Sequence, residues 1–144
     1  MTFLLPTKIL IPVDGSENSK KASEFALELS TKIGSTVVFL HVIEIPISSY
    51  KYHRVAENLL ELLENSGKAL LADFETKAKS KKVPYEVVLS HGDPANQILI
   101  ITRRKGCDCI VIGKRGLGRF QRMLLGSVSD RITKLSKVPV VVVK

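Results

Sequence analysis

Five short segments of the chain are almost continuously apolar and rich in Val and Ile. Most carry apolar residues at consecutive positions, which is typical of strands that are covered on both faces of a parallel sheet. Turn-forming or polar residues separate them from the intervening sequence. The pattern therefore predicts five strands, at residues 8–13, 36–43, 85–90, 107–113 and 139–143.

Apolar residues at helical spacing lie between these segments and predict four helices. The first helix has a glycine stop signal at Gly34. The third begins with Asp93 as N-cap and Pro94 in its first turn, and Gly106 ends it. Gly67 lies inside the long second helix, and we expect it to bend or loosen that helix. The predicted buried stripes are Ala22, Phe25, Ala26, Leu29 and Ile33; Ala56, Leu59, Leu60, Leu63, Leu70, Phe74 and Ala78; Ile98 and Ile101; and Val128, Ile132 and Leu135.

Strands and helices alternate along the whole chain, which predicts an α/β fold with a parallel sheet. The length of 144 residues suits a single domain spanning residues 1–144. Residues 44–54 do not follow either periodicity. We expect them to form a loop before the second helix.

The composition is that of a globular protein with a basic balance. The chain has 22 Lys and Arg against 14 Asp and Glu, a formal net charge of +8. A positive surface attracts phosphates of every kind, so nucleotides, nucleic acids and anionic membranes stay open on charge alone. No apolar run approaches the roughly 18 residues of a membrane helix, and the start of the sequence lacks the features of a secretory signal. We therefore expect a cytoplasmic protein with no membrane partner.

The segment GKRGLGRFQRMLLGS, residues 113–127, combines four glycines with four cations and contains no acid. It follows the fourth predicted strand and precedes the last predicted helix. In open α/β sheets, ligands bind at the carboxyl ends of the strands. A helix amino end offers unpaired N–H groups and the positive end of a dipole. The segment predicts a phosphate site, and the alternative is a flexible turn with solvated arginines.

The spacing of this segment separates it from two common phosphate loops. It lacks the P-loop pattern, and Gln121 stands where the dinucleotide fingerprint that starts at Gly116 needs its third glycine. The spacing present is G-x2-G-x9-G-S, formed by Gly113, Gly116, Gly126 and Ser127.

This gapped motif resembles the nucleotide-binding motif of the universal stress protein family, in its ATP-binding branch. The resemblance covers nearly the whole chain. It includes IPVDGSENSKKA at residues 11–22, LHVIE at 40–44, GDPANQI at 92–98, DCIVIGKRG at 108–116 and KVPVVVVK at 137–144. It implies a three-layer α/β/α, Rossmann-like adenine nucleotide-binding fold with five parallel strands in the order 3-2-1-4-5. Strands 1 and 4 are then neighbours at the switch point of the sheet.

The resemblance also implies how the nucleoside is held. Asp14 would accept hydrogen bonds from the ribose hydroxyls, a role that suits a carboxylate because it is acceptor-only when ionised. Pro12 and Val13 would line the adenine pocket, and Val42 would contact the adenine edge through its backbone. Ile112 would contact the base or the sugar.

The phosphates of ATP would lie against the glycine segment, again by resemblance. Ser127 and Ser129 are expected to offer hydroxyl donors in the first turn of the last helix. Mg²⁺ or Mn²⁺ would bridge phosphate oxygens and waters, since the segment contains no carboxylate. The residues implied for the phosphates are Gly113, Arg115, Gly116, Gly126, Ser127, Val128 and Ser129.

The implied function is an ATP-binding regulatory module of the stress response, acting on an unknown protein partner. A slow ATPase or phosphotransferase is the alternative, but no residue presents itself as the base that phosphoryl transfer needs. A nucleic-acid partner is not expected, because aromatic residues make up only 6% and Trp is absent. The last strand would be an apolar edge, and a homodimer through residues 138–144 is expected, by antiparallel pairing of Val140 to Val143.

Several other residues have simpler interpretations. Cys107 and Cys109 are two apart, so we expect them to share a strand face as core thiols. His41 is expected to be a packed, hydrogen-bonded histidine, and His91 a weak candidate for ligand contact. The apolar residues of the glycine segment would form a lid or pack inside the subunit; they are Phe120, Met123, Leu124 and Leu125.

Overall fold

The computed structural model describes residues 4–44, 53–115 and 126–144. The loop predicted at 44–54 lies mainly in residues 45–52, outside the described residues, but its last two residues, His53 and Arg54, begin a helix. The predictions for Gly116 and for the apolar residues Phe120, Met123, Leu124 and Leu125 also lie outside the described residues. The elements, in chain order, are β1 (Lys8–Pro12), α1 (Glu17–Ile33), β2 (Thr36–Ile43), α2 (His53–Ser80), β3 (Tyr85–His91), α3 (Pro94–Arg104), β4 (Cys109–Gly113), α4 (Ser127–Leu135) and β5 (Val140–Val143).

The strands form one parallel sheet in the order β3-β2-β1-β4-β5, as expected. Ile9 of β1 pairs with Val37 of β2 on one side and with Cys109 of β4 on the other. The order reverses at β1, because β2 lies on one side of it and β4 on the other. The carboxyl ends of β1 and β4 therefore flank the switch point of the sheet.

Two apolar layers cover the sheet. One contains Ile9, Ile11, Val37, Phe39 and Val111 with residues of α1 and α2, and the Phe39 and Phe74 rings lie 5.3 Å apart between their centroids. The other layer packs α3 and α4 against the opposite face; its strand residues include Leu10, Val38, Leu40, Ile110 and Ile112. Each strand thus contributes alternate residues to the two faces, which explains why the strands are apolar at consecutive positions.

The buried stripe of α1 differs from the predicted one. Phe25 is 44% exposed, whereas Ser23 is fully buried and Leu27 is 1% exposed. The buried positions are occupied mainly by small residues, which bring the helix close to the sheet: Ser19, Ala22, Ser23, Ala26, Leu27 and Ser30. The prediction was correct for Ala22 and Ala26, which are fully buried. Hydrophobicity missed the three serines of the stripe. Leu135 was also wrongly predicted as buried, since it is the last residue of α4 and is 55% exposed.

The helix α2 is continuous over His53–Ser80 with Gly67 buried inside it, and a bend at Gly67 stays a prediction. One further expectation is corrected. Cys107 and Cys109 lie on opposite faces, because Cys107 precedes β4 and packs with the α3 and α4 layer. Both are free, buried thiols, and burial raises the pKa of Cys107 to about 11.

Within the described ranges, none of the helices has the length and apolar character needed to cross a membrane.

The amino ends of β1 and β4 are joined by the carboxylate of Asp108. Its oxygens accept hydrogen bonds from the Thr7 N–H at 3.0 and 2.9 Å, from the Lys8 N–H at 3.0 Å and from the Thr7 hydroxyl at 2.8 Å. Partial burial works against the charged form, but these donors outweigh it and lower the pKa of Asp108 below its ordinary value of 3.8. The carboxylate therefore pins together the two strands that carry the switch point.

We predict that Asp108→Asn lowers the free energy of unfolding by about 1–2 kcal/mol at pH 7, because weaker bonds replace the charge-assisted ones. Because the pKa of Asp108 is lower in the folded protein than its ordinary value of 3.8, the ionised carboxylate stabilises the fold at pH values above 3.8. This stability is lost as the pH falls through the folded-state pKa. The difference between wild type and variant should therefore shrink at acid pH. Urea unfolding at pH 7 and pH 3 measures it, and an equal difference at both pH values would contradict the assignment.

Candidate functional site

A cavity of about 530 Å³ opens at the carboxyl edge of the sheet, beside the switch point. The ends of β1, β2 and β4 form its floor, and residues at the amino ends of α1, α3 and α4 form much of its wall. The volume lies in the range of small-molecule sites, about 300–1,000 Å³. The parallel arrangement explains this position, because all strand carboxyl ends meet at one edge.

Most of the residues proposed from sequence line this one cavity, although they come from four separate parts of the chain. Gly116 is the exception, since it lies outside the described residues. The lining residues that were named from sequence are Pro12, Val13, Asp14, Val42, Ile112, Gly113, Arg115, Gly126, Ser127, Val128 and Ser129.

The turn after β1 places Asp14 at the cavity. The Val13 N–H donates to the Leu40 carbonyl at 2.8 Å, which continues the contact with β2 beyond the last residue of β1. One carboxylate oxygen of Asp14 accepts the Ser16 N–H at 3.0 Å. A carboxylate has about four acceptor positions, so this bond within the turn is compatible with accepting hydrogen bonds from a ligand.

The helix amino ends around the cavity differ in their caps. The Ser16 hydroxyl accepts the Ser19 N–H at 3.1 Å in α1, and the Asp93 carboxylate accepts the Asn96 N–H at 3.0 Å in α3. The N-cap of α4 is Gly126, which provides no side-chain acceptor. Of these three helix ends, α4 is therefore the one whose first-turn amides are not capped by an N-cap side chain.

Hydrogen bonds fix the position of α4 against its surroundings. The Gly126 N–H donates to the Lys114 carbonyl at 2.8 Å, so the two ends of the glycine segment are adjacent. Arg131 donates to Asp93 at 3.1 Å and to Asn96 at 3.1 Å, which connects α4 to the first turn of α3. The amino end of α4 is thus held beside the end of β4, and the middle of the helix is connected to α3.

The two serines of the first turn of α4 differ in environment. The Ser129 hydroxyl donates to the Gly113 carbonyl at 2.7 Å and the residue is 3% exposed. Its hydroxyl proton is used within the protein, so the expectation of a hydroxyl donor for phosphate is wrong for Ser129. Ser127 is exposed at the cavity.

Gly113 has a packing reason to be glycine. A Cβ atom built there would lie 2.7 Å from both the backbone carbon and the backbone oxygen of Asn18 in α1. Such distances do not occur without movement of the helix. The residue therefore allows α1 to cross the end of β4, in addition to any role it has toward a ligand.

Sequence reasoning missed nine residues of the cavity wall. Some belong to helices or strands whose apolar pattern gave no sign of a site, such as Leu63 in α2 and Ile98 in α3. His41 was assigned to packing, and its ring does hydrogen-bond, with Nδ1 2.8 Å from the Val13 carbonyl oxygen. The nine residues are Ser16, Ser19, Leu40, His41, Ile43, Glu44, Leu63, Pro94 and Ile98.

Known proteins resemble this chain over almost its entire length. The sequence model described as the universal stress protein family matches residues 6–144. Universal stress protein YxiE of Bacillus subtilis is 32% identical over 145 residues, which cover 95% of this chain and 98% of that protein.

Two solved structures extend the comparison to three dimensions. The protein MJ0577 of Methanocaldococcus jannaschii has a TM-score of 0.86 at 28% identity, covering 96% of this chain and 95% of that one. A universal stress protein family protein of Arabidopsis thaliana, solved with AMP bound, has a TM-score of 0.71 at 26% identity, covering 96% and 92%.

We predict that Ser129→Ala lowers the free energy of unfolding by about 1–2 kcal/mol, because it leaves the Gly113 carbonyl without its donor. The matched substitution Ser127→Ala changes the same residue type in the same helical turn, but at an exposed position, and should stay within about 0.5 kcal/mol of wild type. Urea unfolding of the three proteins measures both effects. Equal destabilisation by the two substitutions would contradict the assigned bond.

Proposed function

The chain belongs to the universal stress protein family, and we propose that it is an ATP-binding regulatory protein that uses the cavity beside β1 and β4. The observation that carries the proposal is the pairing of an uncapped helix amino end with a carboxylate across one cavity. The uncapped helix end suits a phosphate, and the carboxylate suits sugar hydroxyls. The relative solved with AMP bound supports an adenylate as the class of ligand.

The phosphates are proposed to lie at the amino end of α4. Gly126 has φ −63° and no side chain, so a phosphate can approach the amides of Ser127, Val128 and Ser129. The exposed Ser127 hydroxyl is positioned to donate to the phosphates. Arg115 also lines the cavity and adds positive charge. Gly113, and Gly116 by resemblance, complete the proposed phosphate-binding set.

The nucleoside is proposed to occupy the part of the cavity between β1, β2 and β4. Asp14 accepts hydrogen bonds from the ribose hydroxyls, and its attachment to Ser16 holds the carboxylate in place. Apolar residues provide a surface for the base: Pro12, Val13, Val42 and Ile112. Only a minority of cavity residues are charged, which suits a flat aromatic ring with a few polar contacts.

Mg²⁺ or Mn²⁺ is proposed to accompany ATP. In residues 4–44, 53–115 and 126–144, no group of three or more His, Cys, Asp or Glu side chains is arranged to hold a metal ion. The donor set fits a metal held mainly by phosphate oxygens and water, which is common for Mg²⁺. The protein would then contribute by binding the nucleotide and orienting its phosphates.

The first experiment is mass analysis of nucleotide released from the purified protein, followed by calorimetry with ATP and AMP. We expect an adenylate to bind and Gly126→Val to abolish binding, because the new side chain occupies the phosphate position. The backbone at 126 is extended, a conformation open to Val, so we expect the fold to persist. Gly126→Ala should weaken binding less. Wild-type protein that binds neither adenylate would sink the proposed function.

A homodimer through the edge strand β5 is also proposed. β5 pairs with β4 on one side, where the Ile110 N–H donates to Pro139 and the Lys114 N–H donates to Val143. Alternate residues of a parallel strand face the same neighbour. The main-chain groups of Val140 and Val142 therefore point away from β4, toward the outer edge, where a second copy could pair with them.

We predict that Val142→Pro weakens the dimer, because it removes an outward N–H while leaving the bonds to β4 in place. Val142→Ala is the matched control: it truncates the same side chain but keeps the amide, so it should remain dimeric. Sedimentation at micromolar concentration measures the association. Dimers of equal strength in both variants, or a wild type that is monomeric throughout, would exclude pairing through this edge.

A further inference from the structure

His41 lies in the wall of the cavity, yet its ring is bound to the protein main chain. Nδ1 lies 2.8 Å from the carbonyl oxygen of Val13. A carbonyl oxygen only accepts hydrogen bonds, so Nδ1 carries the proton and donates. The neutral ring is therefore fixed as the tautomer with a proton on Nδ1 and none on Nε2.

The bond to His41 completes the attachment of Val13 to β2. The Val13 N–H already donates to the Leu40 carbonyl at 2.8 Å. Both main-chain groups of Val13 are thus held by two adjacent residues of the same strand. Asp14 follows directly, and its carboxylate accepts the N–H of Ser16, the N-cap of α1. The position of the Asp14 carboxylate therefore depends on a turn that the His41 ring helps to fix.

The ring also lies against the backbone of α2 at Gly67. A Cβ atom at Gly67 would lie 2.8 Å from Cδ2 of His41 and 2.8 Å from Cδ1 of Leu89. Glycine inside a helix is unfavourable, so its presence there has to be explained by something other than helix formation. The close contact explains it, because any larger residue would displace the ring from the Val13 carbonyl or move α2 outward.

We propose that His41 is a positioning residue of the nucleotide site, and that Gly67 leaves the space in which its ring can act. The ring holds the Val13–Asp14 turn so that the Asp14 carboxylate faces the ribose. The role in binding rests on the proposed adenylate function. The contact of the ring with Val13 does not, and it can be tested without any ligand.

The tautomer of His41 is the first test. Nitrogen-15 spectra of histidine-labelled protein at about pH 9, where an ordinary imidazole is neutral, should show His41 protonated at Nδ1 and bare at Nε2. The His41→Asn spectrum identifies its signals, and His53 and His91 serve as comparators. A neutral His41 ring protonated at Nε2 would overturn the proposal, whether or not the protein binds a nucleotide.

Ligand discrimination is the second test, with AMP and 2′-deoxy-AMP as probes. His41→Leu removes the donor, and we expect about tenfold weaker AMP binding and a loss of the preference for AMP over the deoxy compound. His41→Asn keeps a donor near the Nδ1 position and should stay within about threefold of wild type. Equal losses in the two variants, or an unchanged preference in His41→Leu, would show that the ring only fills space.

Gly67 provides a third test from outside the cavity wall. Gly67→Ala should shift the His41 ring signals and weaken AMP binding, although residue 67 does not line the cavity. Ser66→Ala changes the neighbouring, exposed residue to alanine and should alter neither. Unchanged His41 ring signals in Gly67→Ala would show that Gly67 does not provide the space in which the ring lies. If the wild-type protein shows the expected His41 tautomer but binds no adenylate, the proposed function is wrong, while the contact between the His41 ring and Val13 is still supported.

Discussion

The parallel direction of the five strands is the constraint on which the rest of the molecule depends. Because every strand ends at the same edge, every helix that follows a strand begins there, and N–H groups with their dipoles accumulate around one rim. The reversal of strand order at β1 prevents the loops after β1 and β4 from covering each other. A cavity at this point is a consequence of topology, and the side chains decide only what it can hold.

Close backbone contacts at two glycines give that cavity its shape. Gly113 lets the first turn of α1 cross the end of β4, and Gly67 lets α2 lie on the His41 ring. At Gly113 a methyl group would meet the backbone of α1 and move that helix, whereas at Gly67 it would meet the side chains of His41 and Leu89. The shape of the site therefore depends on how near the helices come to the sheet, and Gly67 contributes to it although it does not line the cavity. The serines on the buried side of α1 act in the same way.

The fold was predictable from sequence, and the candidate site only partly so. Consecutive apolar residues located all five strands, and Asp93 with Pro94 marked the start of α3, because these signals are local. The strand order required the family resemblance, since pairing partners leave no mark on a single strand. The buried stripe of α1 was predicted only in part, because burial there selects for small size, so that serines occupy three of its positions.

The site residues divide in a similar way. Gly126 and Ser127 belong to a spaced motif, and Asp14 was located by the family resemblance. Leu63 and Ile98 come to the cavity through packing of α2 and α3, which the sequence does not reveal before the fold is known. The Ser129 hydroxyl was misassigned because serine at a helix start suits both a ligand and a neighbouring carbonyl. The fold decides between these two partners, because it places the Gly113 carbonyl oxygen 2.7 Å from the Ser129 hydroxyl oxygen.

The net charge of +8 contributes less to anion binding at this site than the magnitude of that charge suggests. Many of the cations lie in the last turns of the helices, at the edge of the sheet opposite the cavity: Lys32, Lys77, Lys79, Arg103, Arg104 and Lys134. There they complement the negative ends of the helix dipoles, and Lys81 pairs with Glu28 at 2.6 Å. Charges on the far side of a domain are screened at physiological salt, where the Debye length is about 8 Å. Attraction of an anion to the cavity must therefore come from groups beside it, which among the described residues include Arg115 and the first-turn amides of α4. A nucleotide would be selected by the local arrangement of these donors, and the overall basic character would at most accelerate its approach.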